Sequence, residues 1–213
     1  MMIDARRAAR NALAHFEPGD RILLAVSGGA DSLLLAAATT LEANKVGIQL
    51  SAIVVDHQLQ SGSGDVAVLT QKRLGKLGIA EVKISQVEVV GAGGMEAAAR
   101  RARYDALDAE ADRIGAVAIF LGHTEDDLAE TVLLGLARGS GTRSLSGMAF
   151  QVGRHVRPFL ELTRAQVLAA CKESGIEFWS DPQNEIQVLL ECGCEMKSCP
   201  RWKKRLVQEF LRP

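Results

Sequence analysis

Four short runs of apolar and β-branched residues set the rhythm of the chain: Ile22–Val26, Leu50–Asp56, Val82–Val89 and Val117–Gly122. Each has the length of a strand. Between them lie longer Ala- and Leu-rich segments, Ser32–Ala43, Asp65–Leu77 and Glu96–Ile114, which read as helices. Buried strands alternating with helices predict an α/β fold: a doubly wound parallel sheet covered on both faces.

Shorter signals punctuate this pattern. Thr163–Ser174 reads as a further helix with Thr163 as its N-cap, ended by Asp181-Pro-Gln-Asn. Gly91–Gly94 and Gly139–Gly147 read as loops. In open parallel sheets, ligands gather at the carboxyl ends of the strands. Three chemically loaded stretches fall there: Ser27–Ser32, Asp56–His57 and His123–Glu130.

Composition narrows the class. The chain has 213 residues, 47% of them hydrophobic, which suits one α/β domain with a short appendage. Charged residues make up 24% and the net charge is −1, so no overall basic field advertises nucleic acid. RNA contacts would have to come from local patches. Met1–Phe16 is Arg-rich and amphipathic without the apolar core of a secretory signal, and no apolar run is long enough to span a bilayer. Cys171, Cys192, Cys194 and Cys199 form no C-x-x-C pair. A reduced, cytoplasmic protein with no membrane association is the expectation.

Ser27-Gly-Gly-Ala-Asp-Ser32 joins the first strand to the first helix. Gly28 and Gly29 let main-chain N–H groups approach an anion without Cβ obstruction. The helix behind them adds its positive N-terminal end. Ser27 and Ser32 can donate hydroxyl hydrogen bonds. A bare phosphate would repel Asp31, so its carboxylate makes sense beside a divalent cation. The plainer alternative is a helix-capping turn, and the strand-loop-helix setting argues against it. The loop lacks the Gly-Lys-Ser/Thr ending of a Walker loop and the third glycine of a dinucleotide fingerprint.

His123, Asp126, Asp127 and Glu130 fall at i, i+3, i+4 and i+7, one face of a helix that Thr124 could cap. Three carboxylates on one face ask for a cation among them, either a metal or a substrate ammonium. The helix macrodipole alone also favours acids in a first turn. Arg100, Arg101 and Arg103 with Tyr104 make a short basic face, suited either to RNA phosphates and a stacked base or to plain solvation. His15 and His155 stand alone, and surface or core roles suit them better than catalysis.

Ser-Gly-Gly-x-Asp-Ser after a first strand resembles the PP-loop of the N-type ATP pyrophosphatases. That resemblance implies cleavage of ATP to AMP and pyrophosphate, with a substrate oxygen attacking the α-phosphorus. His123-Thr-x-Asp-Asp-x-x-Glu-Thr131 followed by Arg138-Gly-Ser-Gly141 resembles the tRNA(Ile)-lysidine synthetases. Val55-Asp-His57, Ala99-Arg-Arg-Ala-Arg-Tyr104, Arg157-Pro-Phe-Leu, Thr163-Arg164 and Asp181-Pro-x-Asn184 extend the likeness in the same order. It runs from about Asp20 to Glu185. Leu128 departs from it, since the family usually carries glutamine there.

The resemblance implies an enzyme that ligates free L-lysine to C2 of the anticodon wobble cytidine of tRNA(Ile) through an adenylylated cytidine. ATP is the co-substrate, Mg²⁺ the metal, and a homodimer is compatible with it. The implied ATP site is Ser27, Gly28, Gly29, Ala30, Asp31, Ser32, Asp56, His57 and His123. Asp31, Asp126, Asp127 and Glu130 are the implied catalytic acids, with Asp31 and Asp127 on the metal. Arg100, Arg101, Arg103, Tyr104 and Arg138 would meet tRNA. Two other readings are another PP-loop tRNA modifier such as a thiolase, and a nucleotide-binding remnant without turnover. A thiolase needs a sulfur-handling cysteine near the ATP site, and Cys171 lies far along the chain from the loop.

Residues 1–185 are therefore expected to form the PP-loop catalytic domain, and 186–213 an atypical tail. The tail is rich in Cys, Lys and Trp, with cysteine spacing poor for zinc. Back-translated with a suitable choice of permitted codons and read two bases later, it can yield an Arg-rich continuation resembling the family's own. A frameshift is the favoured explanation, with the family's C-terminal tRNA-binding parts lost or replaced.

Overall fold

A computed structural model describes residues 1–56, 58, 62–87, 95–137 and 147–179. His57, Gly91–Gly94, Arg138, most of the loop expected at Gly139–Gly147 and the tail 186–213 lie outside the described residues. The elements run α1 (Met2–Leu13), β1 (Arg21–Ala25), α2 (Ala30–Val46), β2 (Gln49–Asp56), α3 (Ser63–Lys76), β3 (Glu81–Gln86), α4 (Met95–Ile114), β4 (Ala118–Leu121), α5 (Glu125–Ala137), β5 (Gln151–Val152), β6 (His155–Val156) and α6 (Arg164–Glu173). They fall into two compact units. The first comprises Met1–Glu125 and Ala149–Trp179, and Asp126–Met148 belongs to the second.

The first unit holds the sheet, in the order β3-β2-β1-β4-β6-β5. Its strands pair in parallel except β5, which runs antiparallel to β6. Ile22 of β1 stands opposite Leu50 of β2 and Ala118 of β4. The four long strands match the apolar runs of the sequence to within a residue at their starts. The two-residue hairpin β5–β6 was not expected, because strands that short carry no readable periodicity.

Side chains alternate between faces along each strand. Ile22, Leu24, Ala52, Val54 and Phe120 join one core with α1, α2, α3 and α6. Leu23, Ala25, Ile53, Ile119 and Leu121 join a second core with Leu107 and Ala111 of α4. Both faces of the central strands are thus dry, which is why they read as continuous apolar runs. The expected doubly wound α/β architecture is what the chain adopts.

Buried carboxylates pin helices to this frame. Glu42 of α2 is 2% exposed and accepts from Arg6 Nε at 2.7 Å, Arg10 Nε at 3.0 Å and Lys45 Nζ at 2.9 Å. That triad ties α1 to α2. Hydrogen bonding from Arg10, reinforced by Lys45 and Arg6, holds the Glu42 carboxyl at about 2 despite its burial. Glu110 of α4 is likewise buried and accepts from Arg113 and from Lys83 of β3. The Thr163 cap is present, with Gln166 completing a capping box.

Candidate nucleotide site

β1 lies between β2 and β4, so the chain winds outward from it in one direction and then in the other. The carboxyl ends of β1 and β4 therefore mark the switch point where such sheets bind ligands. Ser27–Gly29 leaves β1 there and opens into α2.

Each loop residue has a reason to be what it is. Gly28 has φ +89°, a left-handed value that penalises any Cβ. A Cβ there would also collide with Thr70 Oγ1 of α3. Gly29 is the N-cap of α2, in extended conformation, and as a glycine it lays no side chain of its own over the first turn. The α2 terminus therefore keeps its positive end for an anion. Ser32 is buried; its Oγ donates to Gly29 O at 3.0 Å and accepts from Ser27 N at 3.2 Å. Ser27 is exposed, with its Oγ 3.3 Å from that of Ser32. Ala30 is buried and Asp31 half-buried in the first turn.

The opposite wall comes from β4. Gly122 follows it directly, and a Cβ there would lie 3.0 Å from Ser32 N. His123 is half-buried and Thr124 buried. Glu125 N donates to Leu162 O at 2.9 Å, anchoring the exit of the strand. On the other side of β1, Asp56 ends β2 almost fully buried, its Oδ1 accepting from Gln58 N at 2.9 Å.

The helix after β4 starts at Glu125, so His123 stands in the loop before it rather than on its face. Within the second unit, Asp126, Asp127 and Glu130 do share α5, with Glu130 exposed and the two aspartates half-buried. Thr131 Oγ1 donates to Asp127 O at 2.9 Å. Leu128, the departure from the family pattern, packs where a Cβ on Gly147 would sit. It serves as an apolar contact.

Along α4, Arg100 and Arg101 are exposed, while Arg103 is half-buried and desolvation lowers its pKa from the usual value. Tyr104 packs against the second core. Its ring carries the Arg100 guanidinium 5.2 Å from its centroid and meets His155 at 5.1 Å. His155 also lies 3.5 Å from Asp108.

Two contacts were invisible in the sequence. Cys171 Sγ lies 3.7 Å from Ala30 O, at the very start of α2. Distance along the chain therefore misled: the thiol is next to the loop in space. It is fully buried, and that burial, with the Asp31 charge adding to it, pushes its pKa up to about 11. Such a thiol is a poor nucleophile. Trp179 N donates to Gly28 O at 3.0 Å.

Among the described residues no group of three or more His, Cys, Asp or Glu side chains could hold a metal. Magnesium needs no such cage, since it commonly takes one or two carboxylates plus substrate phosphates. Asp31, a single carboxylate in the first turn of α2 beside the glycine loop, fits that pattern.

An anion-ready helix start at the switch point of a doubly wound sheet defines a phosphate-handling α/β domain. The PP-loop domain family matches residues 2–190, and the chain belongs to that family of ATP-binding domains. It is similar to the tRNA(Ile)-lysidine synthase of Leifsonia xyli subsp. xyli, 52% identical over 168 residues, covering 79% of this chain and 51% of that one. The synthase of Streptomyces coelicolor is 54% identical over 188 residues, covering 87% and 53%. That of Thermobifida fusca is 50% identical over 179 residues, covering 84% and 55%. The chain thus spans about half the length of these curated relatives. Among solved structures, the U34-tRNA thiolase NcsA of Methanococcus maripaludis, with its 4Fe-4S cluster, shares the fold. Its TM-score is 0.75 at 18% identity, covering 97% of this chain and 77% of that one. Among the described residues no helix is long and apolar enough to cross a membrane.

Proposed function

We propose that this chain is the ATP-handling part of a lysidine-forming ligase acting on tRNA(Ile). The wobble cytidine O2 attacks the α-phosphorus of ATP, the α–β phosphoanhydride bond breaks, and pyrophosphate leaves. The amine of free lysine then attacks C2, and the C2–O bond breaks to release AMP. The observation that carries this reading is identity of 50% or more, over most of this chain, to three proteins named tRNA(Ile)-lysidine synthase.

The loop geometry supports the roles. Ser27, Gly28, Gly29 and Ser32 would grip the departing pyrophosphate through main-chain N–H and hydroxyl donors. Asp31 would hold Mg²⁺, which when bound offsets the phosphate charge. Asp56, His57 and His123 would border the nucleotide. Asp126, Asp127 and Glu130 would receive the lysine ammonium or a metal. Arg100, Arg101, Arg103, Tyr104 and Arg138 would meet the RNA. Most of the catalysis would be positioning and charge stabilisation.

The test is AMP release by the full chain from ATP, tRNA(Ile) transcript and labelled lysine. Release that requires both tRNA and lysine, with label entering the tRNA, is the expected result. Release that requires a sulfur donor instead would mark a thiolase. ATP binding without release under any of these conditions would overturn the ligase reading.

A further inference from the structure

Two donors from the last described segment hold the phosphate loop from behind. Trp179 N donates to Gly28 O at 3.0 Å, and Cys171 Sγ lies 3.7 Å from Ala30 O. These carbonyls flank Gly29, the cap of α2. In a trans peptide the carbonyl and the following N–H point in opposite directions. A donor holding Gly28 O therefore turns the Gly29 N–H away from Trp179.

The segment that supplies this donor is itself fixed. α6 ends in a turn at Gly175, φ +64°, and Ile176 N donates to Cys171 O at 2.9 Å. Ile176 and Phe178 pack against the larger core. Glu177 Oε2 lies 3.6 Å from Arg73 Nη2 of α3. Thr70, one turn earlier on α3, occupies the space beside Gly28. The loop is thus held by α3 at one side and by the 176–179 strap at another.

Glycine at both 28 and 29 leaves their shared peptide free to rotate unless something holds it. A flipped peptide would present a carbonyl oxygen to the anion in place of an N–H. We infer that Ile176–Trp179 is a brace for the phosphate loop and that the Trp179 main-chain N–H is a positioning group for pyrophosphate. The inference rests on the phosphate role proposed for the loop and is independent of the lysine and tRNA steps.

The experiment is calorimetric titration of the full chain with pyrophosphate and with ATP, using Trp179→Pro and Trp179→Phe. Trp179→Pro deletes the N–H, whereas Trp179→Phe keeps it and changes the ring. Trp179→Phe should bind within about twofold of the wild type, and Trp179→Pro about tenfold or more weaker, the scale of one lost oriented hydrogen bond. Equal affinity in the two variants overturns the brace and leaves the phosphate reading standing. Absence of binding by the wild-type chain overturns the phosphate reading and the brace with it. Should Trp179→Pro not fold, amide exchange of the wild-type chain decides. Pyrophosphate should slow exchange at the Trp179 N–H, and unchanged exchange overturns the brace.

Discussion

Gly122 and Ser32 touch backbone to backbone where β4 ends and α2 begins. A Cβ on Gly122 would lie 3.0 Å from Ser32 N and 3.1 Å from Ser32 Cα. Neither atom belongs to a flexible side chain, so the contact cannot relax locally. It limits how closely a side chain after β4 can approach the start of α2. Gly122→Ala should force the strand exit from the helix start and destabilise the chain by about 1–3 kcal/mol, the usual cost of overpacking. A thermal melt and an ATP titration should both register the change.

Gly29→Ala separates loop stability from anion access. A Cβ there meets only Ser27 Oγ, at 3.6 Å, and the backbone is extended. Melting should fall only modestly, by about 1 kcal/mol or less, the scale on which alanine is a poorer N-cap than glycine. Pyrophosphate should nonetheless bind more weakly, because the new methyl group stands in the approach proposed for the anion. Wild-type pyrophosphate affinity in this variant would move the anion elsewhere.

Gly28 is constrained twice, by φ +89° and by Thr70 Oγ1. Gly28→Ala should cost about 1–3 kcal/mol from backbone strain alone, with the collision added. Thr70→Ala removes the collision and leaves the strain. The double variant should therefore be more stable than the sum of the single losses predicts, by about 0.5–3 kcal/mol. Strict additivity in chemical denaturation would show that the two residues do not meet.

Glu42 makes stability depend on acid. Its carboxyl sits at about 2 in the folded chain against an ordinary 4.5. Between those values the unfolded chain binds the proton and the folded chain does not, so stability falls as pH drops. The contribution is complete above about pH 4.5 and is lost as pH falls through about 2. Arg10 and Lys45 reach solvent, which trims the pair energies, so Glu42→Gln should cost about 1–3 kcal/mol at neutral pH. The same variant should flatten the melting temperature against pH in the acid range. An unchanged acid slope would assign it to other carboxylates, such as Glu81 and Glu110, which their arginine partners also hold below the ordinary range.

What could be read from the residues was whatever is local. The strand runs Ile22–Val26 and Val117–Gly122 were legible because both faces of those strands are buried. The turn from β1 into α2 was legible because paired glycines between a strand and a helix mark a tight backbone turn. Long-range contacts were not legible. Nothing near Gly28 announces Thr70 or Trp179, and nothing near Gly122 announces Ser32. Cys171 looked remote because sequence distance says nothing about how α6 folds back onto α2. The face expected to join His123 with Asp126 broke because the helix starts two residues after the histidine. The hairpin Gln151–Val156 escaped because two-residue strands around Gly153 show no period.

Asp31 stands in the first turn of α2, within the cradle proposed for the phosphates. If it holds a magnesium ion, its charge has opposite effects with and without the metal. With Mg²⁺ present, Asp31→Asn should weaken ATP binding and abolish lysine-dependent AMP release. In a metal-free chelating buffer the same change removes a negative charge facing phosphate, so bare pyrophosphate should bind as well as or better than to the wild type. Loss of the macrodipole contact alone costs only about 0.3–1 kcal/mol of stability, which a melt would isolate. Equal weakening in both buffers would make Asp31 a structural residue. Asp127→Asn, on α5, provides the comparison: it too should abolish lysine-dependent release, and a variant that kept full release would remove Asp127 from the catalytic set.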